Sequence, residues 1–265
     1  MDMPELVWEE FNFEDPDGGK IIFWPHIPCL RMPSKLRSHS NFDGVAFLTT
    51  SNDLKSWIDE AEQEKNSPGI HRDSAIASGT VLGRLMSDLN ELEVDGPVIP
   101  DPEQIRLLLH AQNSRGGMPV YAIEPSLEDE EWVDWQINSA DQQVTYSNLF
   151  LTLTTGRRWK KMRKNAISLV SSSKEVNADL GAASASALTW WLEEQRGISE
   201  ELMALRDARF ASRIRGALRD LHNSRVDDSK AQETTLLVPI HQAWLSSIKT
   251  AISSCGDIEL ITPEE

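Results

Sequence analysis

The change of pattern at Gly156 constrains the fold of this 265-residue chain more than any other feature. Before it, turn residues and prolines separate short apolar runs, whereas after it apolar residues recur at helical spacing in four long segments. The four segments expected to be helices are 157–169, 174–196, 199–223 and roughly 239–254. We therefore expect an α+β fold, with a small mixed α/β domain over residues 1–155, which begins with a Pro-rich segment, and a helical domain over 156–265.

Short apolar and β-branched runs between turn residues predict the strands of the first domain. The expected strands are 20–24 (closed by Pro25), 42–50, 119–124 and 143–155, with a last edge strand at 257–262. Helices are expected over 53–65, 73–92, 101–114 and 126–137. Asp101 followed by Pro102 is a strong helix start, because aspartate accepts hydrogen bonds from the free amides of the first turn and proline suits that turn.

The connection at Gly197 and Ile198 is short enough to predict an antiparallel helical hairpin. In this hairpin, one apolar stripe would cover the other. The pairing expected is Leu202, Leu205 and Leu218 against Val176, Leu180 and Trp191. Adjacent helical residues lie about 100° apart, so Trp190 is expected at the flank of the helix, beneath the next helix or a partner. Trp190 is therefore the candidate partner-binding residue.

The charge distribution is strongly uneven. No acidic residue occurs between Asp141 and Glu175, and this window carries seven basic residues. Because the whole chain has a net charge of −16, the residues outside the window sum to −23. The candidate anion-binding or nucleic-acid-binding residues are Arg157, Arg158, Trp159, Lys160, Lys161, Arg163 and Lys164. We call residues 157–164 the basic segment.

On a helix the basic segment is amphipathic. Arg157, Lys160, Lys161 and Lys164 follow i, i+3, i+4, i+7 spacing and form one face, which we call the basic face. Trp159, Met162, Ala166 and Leu169 form the opposite, apolar stripe. Three anions could meet this helix: the acidic run 128–134 of the same chain, an external phosphate backbone beside Trp159, or an anionic membrane surface.

Signals for metal binding or nucleophilic catalysis are weak. His26 and Cys29 have metal-ligand spacing and His39 lies nearby, but a zinc site needs four ligands. The remaining candidates form no second pair: His71, His222, His241 and Cys255. We expect no cofactor and no metal, and we interpret Cys29 as a buried structural cysteine.

Arg215 and His222 are the least weak catalytic candidates. Their spacing, with six residues between them, resembles the Arg-x(4–6)-His element of HEPN-type ribonucleases. That resemblance implies a helical bundle in which two such motifs pair across a dimer. The chain departs from the family at Gly216, where a polar residue usually follows the arginine, and an Arg-rich helix also fits a solvated basic face.

The sequence favours a non-enzymatic subunit or adaptor of a cytoplasmic multiprotein assembly, with a protein partner and homo- or hetero-oligomerisation. The surplus of tryptophan, nine residues against two tyrosines, and the opposed charge blocks support this interpretation. The alternatives are a nucleic-acid-contacting component that uses residues 157–164, and a HEPN-like ribonuclease. Two cysteines fit a reducing compartment, and neither a signal peptide nor a transmembrane segment is expected.

Overall fold

The computed structural model describes residues 3–146, 154–225 and 234–264, and every structural statement refers to these. The strands are β1 (Phe11–Glu14), β2 (Lys20–His26), β3 (Gly44–Phe47), β4 (Val120–Ala122) and β5 (Thr235–His241). The first helices are α1 (Ser51–Asn66), α2 (Ile70–Ser78), α3 (Val81–Asn90), α4 (Pro102–Asn113) and α5 (Glu130–Gln143). They are followed by α6 (Thr155–Ala166), α7 (Ala178–Glu194), α8 (Glu200–Arg225) and α9 (Gln242–Ser254).

The five strands form one sheet in the order β1-β2-β5-β3-β4. β5 pairs in parallel with β2 and β3, β3 pairs in parallel with β4, and β1 is antiparallel to β2. The expectation of a helix from residue 239 is therefore wrong for 239–241, which complete the central strand β5. A short apolar run has the same sequence pattern whether it forms a strand buried on both faces or part of a buried helix, which explains the error.

Side-chain alternation along β2 divides the core into two clusters. Ile22 and Trp24 lie in a first cluster with residues of α3, α4 and α7. Ile21 and Phe23 lie in a second cluster with residues of α8 and α9. The α+β class is confirmed, but the expected division at residue 155 does not separate two cores, because both clusters contain residues from each side of it.

The predicted packing of the helical hairpin is wrong. α7 buries Leu180 in the first cluster, whereas α8 buries Leu218 in the second, on the other face of the sheet. Leu205 is 56% exposed rather than covered by α7. Gly197 does turn the chain with a φ of 93°, and near the turn Trp191 of α7 packs against Arg206 of α8. Beyond this contact the two helices cover opposite faces of the sheet.

Several local predictions can be compared directly with the structure. Asp101 caps α4 as expected, accepting hydrogen bonds from the amides of Glu103 and Gln104. β2 continues through Pro25 to His26, beyond its expected end. The expected strand 143–155 falls largely on residues 147–153, which lie outside the described residues. No strand is assigned at 257–262 within the described part of the chain.

The expected helix 73–92 is two helices that pack closely. Gly79, with a φ of 68°, ends α2 in the left-handed conformation. A Cβ on Gly83 would lie only 2.1 Å from the carbonyl oxygen of Ala75, so glycine permits this close contact between α2 and α3. Over the described ranges, no helix combines the length and the apolar character needed to cross a membrane.

Candidate functional site

The basic segment lies on α6, whose apolar side is fixed to the protein. Trp159 and Ala166 are buried, with Trp159 in the first core cluster. The indole Nε1 of Trp159 donates a hydrogen bond to Asp88 of α3 at 2.8 Å. Because Trp159 is only 4% exposed, it offers no surface on which a nucleic-acid base could stack.

Two of the six cations of the basic segment are neutralised within the protein. Arg158 donates from Nη2 to Glu193 of α7 at 2.7 Å and also pairs through Nε. Its hydrogen bond to Glu193 raises the pKa of the Arg158 guanidinium. Arg163 pairs with Asp88 at 3.0 Å. These pairs hold α6 against α7 and α3.

The four residues of the basic face are all exposed. In the described ranges 3–146, 154–225 and 234–264, none of these four forms an ion pair. A surface depression of about 510 Å³ is lined by Thr154, Gly156, Arg157 and Lys160. The structure therefore separates the segment into cations that stabilise the fold and cations that face solvent.

The acidic run 128–134 does not neutralise the basic segment in this structure. Asp129, which caps α5, accepts from Arg209 Nη1 at 3.0 Å and also pairs with Nη2. The hydrogen bond from Arg209 lowers the pKa of Asp129. Arg209 in turn pairs with Glu259 at 3.2 Å. This acidic run is thus tied to α8 and not to α6.

A second candidate site lies at the carboxyl ends of two adjacent parallel strands. His26 ends β2, His241 ends β5, and the two residues are in register. Their rings meet edge to face, with centroids 5.2 Å apart. Asp101, the N-cap of α4, places a carboxylate oxygen 3.6 Å from His26 Nδ1. The carboxyl edge of a parallel sheet is where ligands bind in many α/β proteins.

We call His26, His241 and Asp101 the histidine cluster. Among the described residues, each of its two histidines has a buried nitrogen without a hydrogen-bond partner. These atoms are Nε2 of His26 and Nδ1 of His241. Burial lowers the pKa of His26 to about 4 and that of His241 to about 3. Both imidazoles are therefore neutral near pH 7, which is the state that binds metal ions. Burial also raises the pKa of Asp101.

The segment after β2 supports this cluster through backbone hydrogen bonds. The amide of Cys29 donates to Asp101 at 2.8 Å, and Cys29 has a φ of 62°. Glu103, which is fully buried, accepts from the amide of Met32 at 2.9 Å and pairs with Arg37. Burial raises the pKa of the Cys29 thiol, so the structure disfavours Cys29 as a nucleophile.

Trp190, the candidate partner-binding residue, lies beside the histidine cluster. Its ring centroid is 5.5 Å from that of His241, and its Nε1 donates to Glu194 at 3.2 Å. The ring is partly buried against the first core cluster, whereas Trp191 packs 4.9 Å from Trp244. Both rings therefore lie near His241, but Trp190 packs on the first core cluster and Trp191 on the second.

Arg215 is committed to structural contacts. It is 4% exposed, donates to both carboxylate oxygens of Asp15 at 2.7 and 3.1 Å, and reaches Asp17 at 3.1 Å. His222 is exposed and lies 3.2 Å from Thr234 Oγ1. The two residues line one cavity of about 230 Å³, but the guanidinium is already neutralised.

The departure from the HEPN pattern at Gly216 has a steric cause. A Cβ at this position would lie 1.8 Å from the carbonyl oxygen of Glu259, so the C-terminal segment leaves no room for a side chain. In addition, α8 packs on a sheet, unlike a helix of a bundle. The geometry favours a structural role for Arg215.

Comparison with known protein families, curated proteins and solved structures finds no match. The histidine cluster is the site that sequence reasoning missed, because its three members come from distant segments. The available signal was positional: both histidines end apolar strands, and Asp101 precedes a proline at a helix start.

Proposed function

We propose that the protein is a binding subunit that recognises a short acidic segment of a partner protein through the basic face of α6. The observation that supports this proposal is the exposure of Arg157, Lys160, Lys161 and Lys164 beside the internally paired Arg158 and Arg163. Exposed cations that are grouped on one rigid helix attract anions at low ionic strength.

The length of the basic face favours a compact ligand. Residues 157–164 span seven helical steps, which is about 10 Å at 1.5 Å per residue. A nucleic-acid strand spaces its phosphates about 3.4 Å apart, so about three of them would fit along this face. Beyond it, an extended polyanion would meet the rest of a chain that sums to −23.

The burial of Trp159 also supports a protein ligand. Proteins that bind single strands combine a basic groove with exposed aromatic rings for stacking, and the one aromatic ring of the basic segment faces the core. An acidic protein segment requires no stacking. Its carboxylates need to match the spacing of the cations on the basic face. A neighbouring depression on the protein, such as that beside Arg157, would complete the binding surface.

Fluorescence polarisation with a labelled polyglutamate peptide, short enough to lie along the basic face, tests this function. We expect saturable binding that weakens with added salt, and loss of most of the affinity in the double variant Lys160→Glu, Lys161→Glu. The matched control is Lys55→Glu, Lys65→Glu, which makes the same charge change at two exposed lysines of α1. Equal affinity of the two double variants would contradict the proposal.

A labelled oligothymidine separates the protein ligand from the nucleic-acid alternative. We expect an oligothymidine longer than the basic face to bind more weakly than the short polyglutamate at the same salt concentration, because it cannot stack and is repelled beyond the basic face. Tighter binding of oligothymidine, lost in the variant at Lys160 and Lys161, would favour a nucleic-acid-contacting component instead.

A further inference from the structure

We propose that His26, Asp101 and His241 form a binding site for one divalent transition-metal ion, with Zn²⁺ as the ion that best fits the ligand set. One potential ligand atom from each of the three side chains lies within 4.8 Å of the other two. This site is independent of the basic face of α6.

The local structure explains why the three side chains meet. Alternation along β2 places His26 on the same face as Ile22 and Trp24, and Trp24 stacks on the His26 ring at 5.6 Å. The register of β2 with β5 then sets His241 beside His26. α4 begins at this edge, so its cap Asp101 faces both strand ends.

The unpartnered nitrogens are the observation that points to a ligand. A buried polar atom without a partner is unfavourable because it loses its hydrogen bonds to water, and among the described residues this cluster contains two such atoms, Nε2 of His26 and Nδ1 of His241. His26 is 0% exposed. A bound cation would accept the lone pairs of both imidazoles and so remove this cost.

The remaining contacts of the cluster resemble the outer shell of a metal site. His26 Nδ1 lies 3.4 Å from the carbonyl oxygen of Ile27, which suits a proton on Nδ1 and a free lone pair on Nε2. The carboxylate of Asp101 is held by the amides of Cys29, Glu103 and Gln104. Histidine ligands are commonly oriented by such carbonyl contacts, and ligating carboxylates by hydrogen bonds.

Two imidazoles and one carboxylate are borderline donors, which suit Zn²⁺ and its first-row neighbours better than Mg²⁺ or Ca²⁺. Zn²⁺ binds such donors at about 2.0–2.2 Å, so binding would draw the three side chains closer together. Three protein ligands leave one tetrahedral position for water or another ligand, unlike a closed structural site.

The test is titration of the full chain, freed of metal by chelator, with ZnCl₂ in a calorimeter and with CoCl₂ by visible absorption. We expect one ion per chain, d–d bands of a low-coordinate Co²⁺ site, and a Zn²⁺-dependent rise in melting temperature. The double variant His26→Gln, His241→Gln should lose at least about 100-fold in affinity. The control His39→Gln, His110→Gln changes two exposed histidines and should bind as the wild type does.

Circular dichroism of the metal-free variants separates loss of ligands from loss of fold. If the double histidine variant does not fold, Asp101→Asn replaces it, because asparagine keeps the helix cap and removes the anionic ligand. Affinity for Zn²⁺ should then fall at least about tenfold. Absence of binding by the wild type, or unchanged affinity in a folded cluster variant, would overturn the proposal.

Discussion

Arg158→Gln is expected to destabilise the protein strongly, although it lies in a segment that is mostly solvent-exposed. The substitution removes two hydrogen bonds from the Glu193 carboxylate, whose side chain is 2% exposed. Removing one partner of a buried ion pair costs about 3–5 kcal/mol. Arg196 remains 3.3 Å from Glu193 and retains part of the stabilisation, so we expect a loss of about 2–3 kcal/mol.

Urea unfolding followed by circular dichroism measures this loss. For a chain of this size each kcal/mol shifts the melting temperature by about 2–4 °C, so thermal unfolding should show a decrease of about 4–12 °C. Arg157→Gln is the matched control, since it makes the same change at the adjacent residue. Arg157 is exposed, and its substitution should alter stability by less than about 0.5 kcal/mol.

The double variant Arg158→Gln, Glu193→Gln tests whether the unpaired charge of Glu193 causes the loss of stability. With the carboxylate also removed, no buried charge lacks its partner, so the double variant should be more stable than Arg158→Gln alone. Equal stability of the variants at Arg157 and Arg158 would refute the division of the basic segment into paired and solvent-facing cations.

Two further predictions concern pH dependence and packing. Asp129→Asn keeps the cap of α5 but loses the charge that Arg209 binds, and should cost about 1–2 kcal/mol at pH 7. The pKa of Asp129 is lowered in the folded state. The extra stability of the wild type over Asp129→Asn should therefore be present at pH values above the ordinary pKa of aspartate, and it should vanish as the pH falls through the folded-state pKa. Urea titrations from neutral to acidic pH measure it, and a pH-independent difference would contradict this cause. In the same assay, Gly216→Ala should lower the free energy of unfolding by about 1–3 kcal/mol or more, because the added Cβ would clash with Glu259. Gly256→Ala is the control, since a Cβ there meets open space and should leave stability nearly unchanged. Equal effects of the two substitutions would contradict the packing argument.

The elements that sequence analysis located best are those with strong local signals. The helix from Asp101 has its cap and its proline in adjacent positions, and it begins where expected. The amphipathic spacing of the basic segment likewise indicated which cations face solvent, with Trp159 buried opposite them.

The partners of the basic segment could not be predicted, because they depend on the tertiary fold. Glu193 and Asp88 meet α6 only after α7 and α3 pack on the same face of the sheet. The distribution of charge along the sequence indicates the acidic run 128–134 as the internal partner of the basic segment. Its Asp129 instead pairs with Arg209 of α8, which lies on the opposite face.

The histidine cluster was missed for a related reason. His241 lies in the last three residues of β5, which fall in the segment that the sequence predicts to be helical. Its position beside His26 depends on a strand pairing that the sequence does not predict. Linear ligand spacing finds sites built on one loop, whereas this cluster is assembled by two strands and a helix cap.

Amine footprinting of the wild-type protein tests the proposed binding function most directly. The protein is labelled with an amine-reactive reagent, with and without polyglutamate, and the modified lysines are quantified by peptide mass spectrometry. Lys55 and Lys65 serve as internal comparators, because they are exposed on α1. Protection of Lys160, Lys161 and Lys164 with unchanged labelling of the comparators is the result we predict, and equal protection of all five lysines would contradict the proposed function.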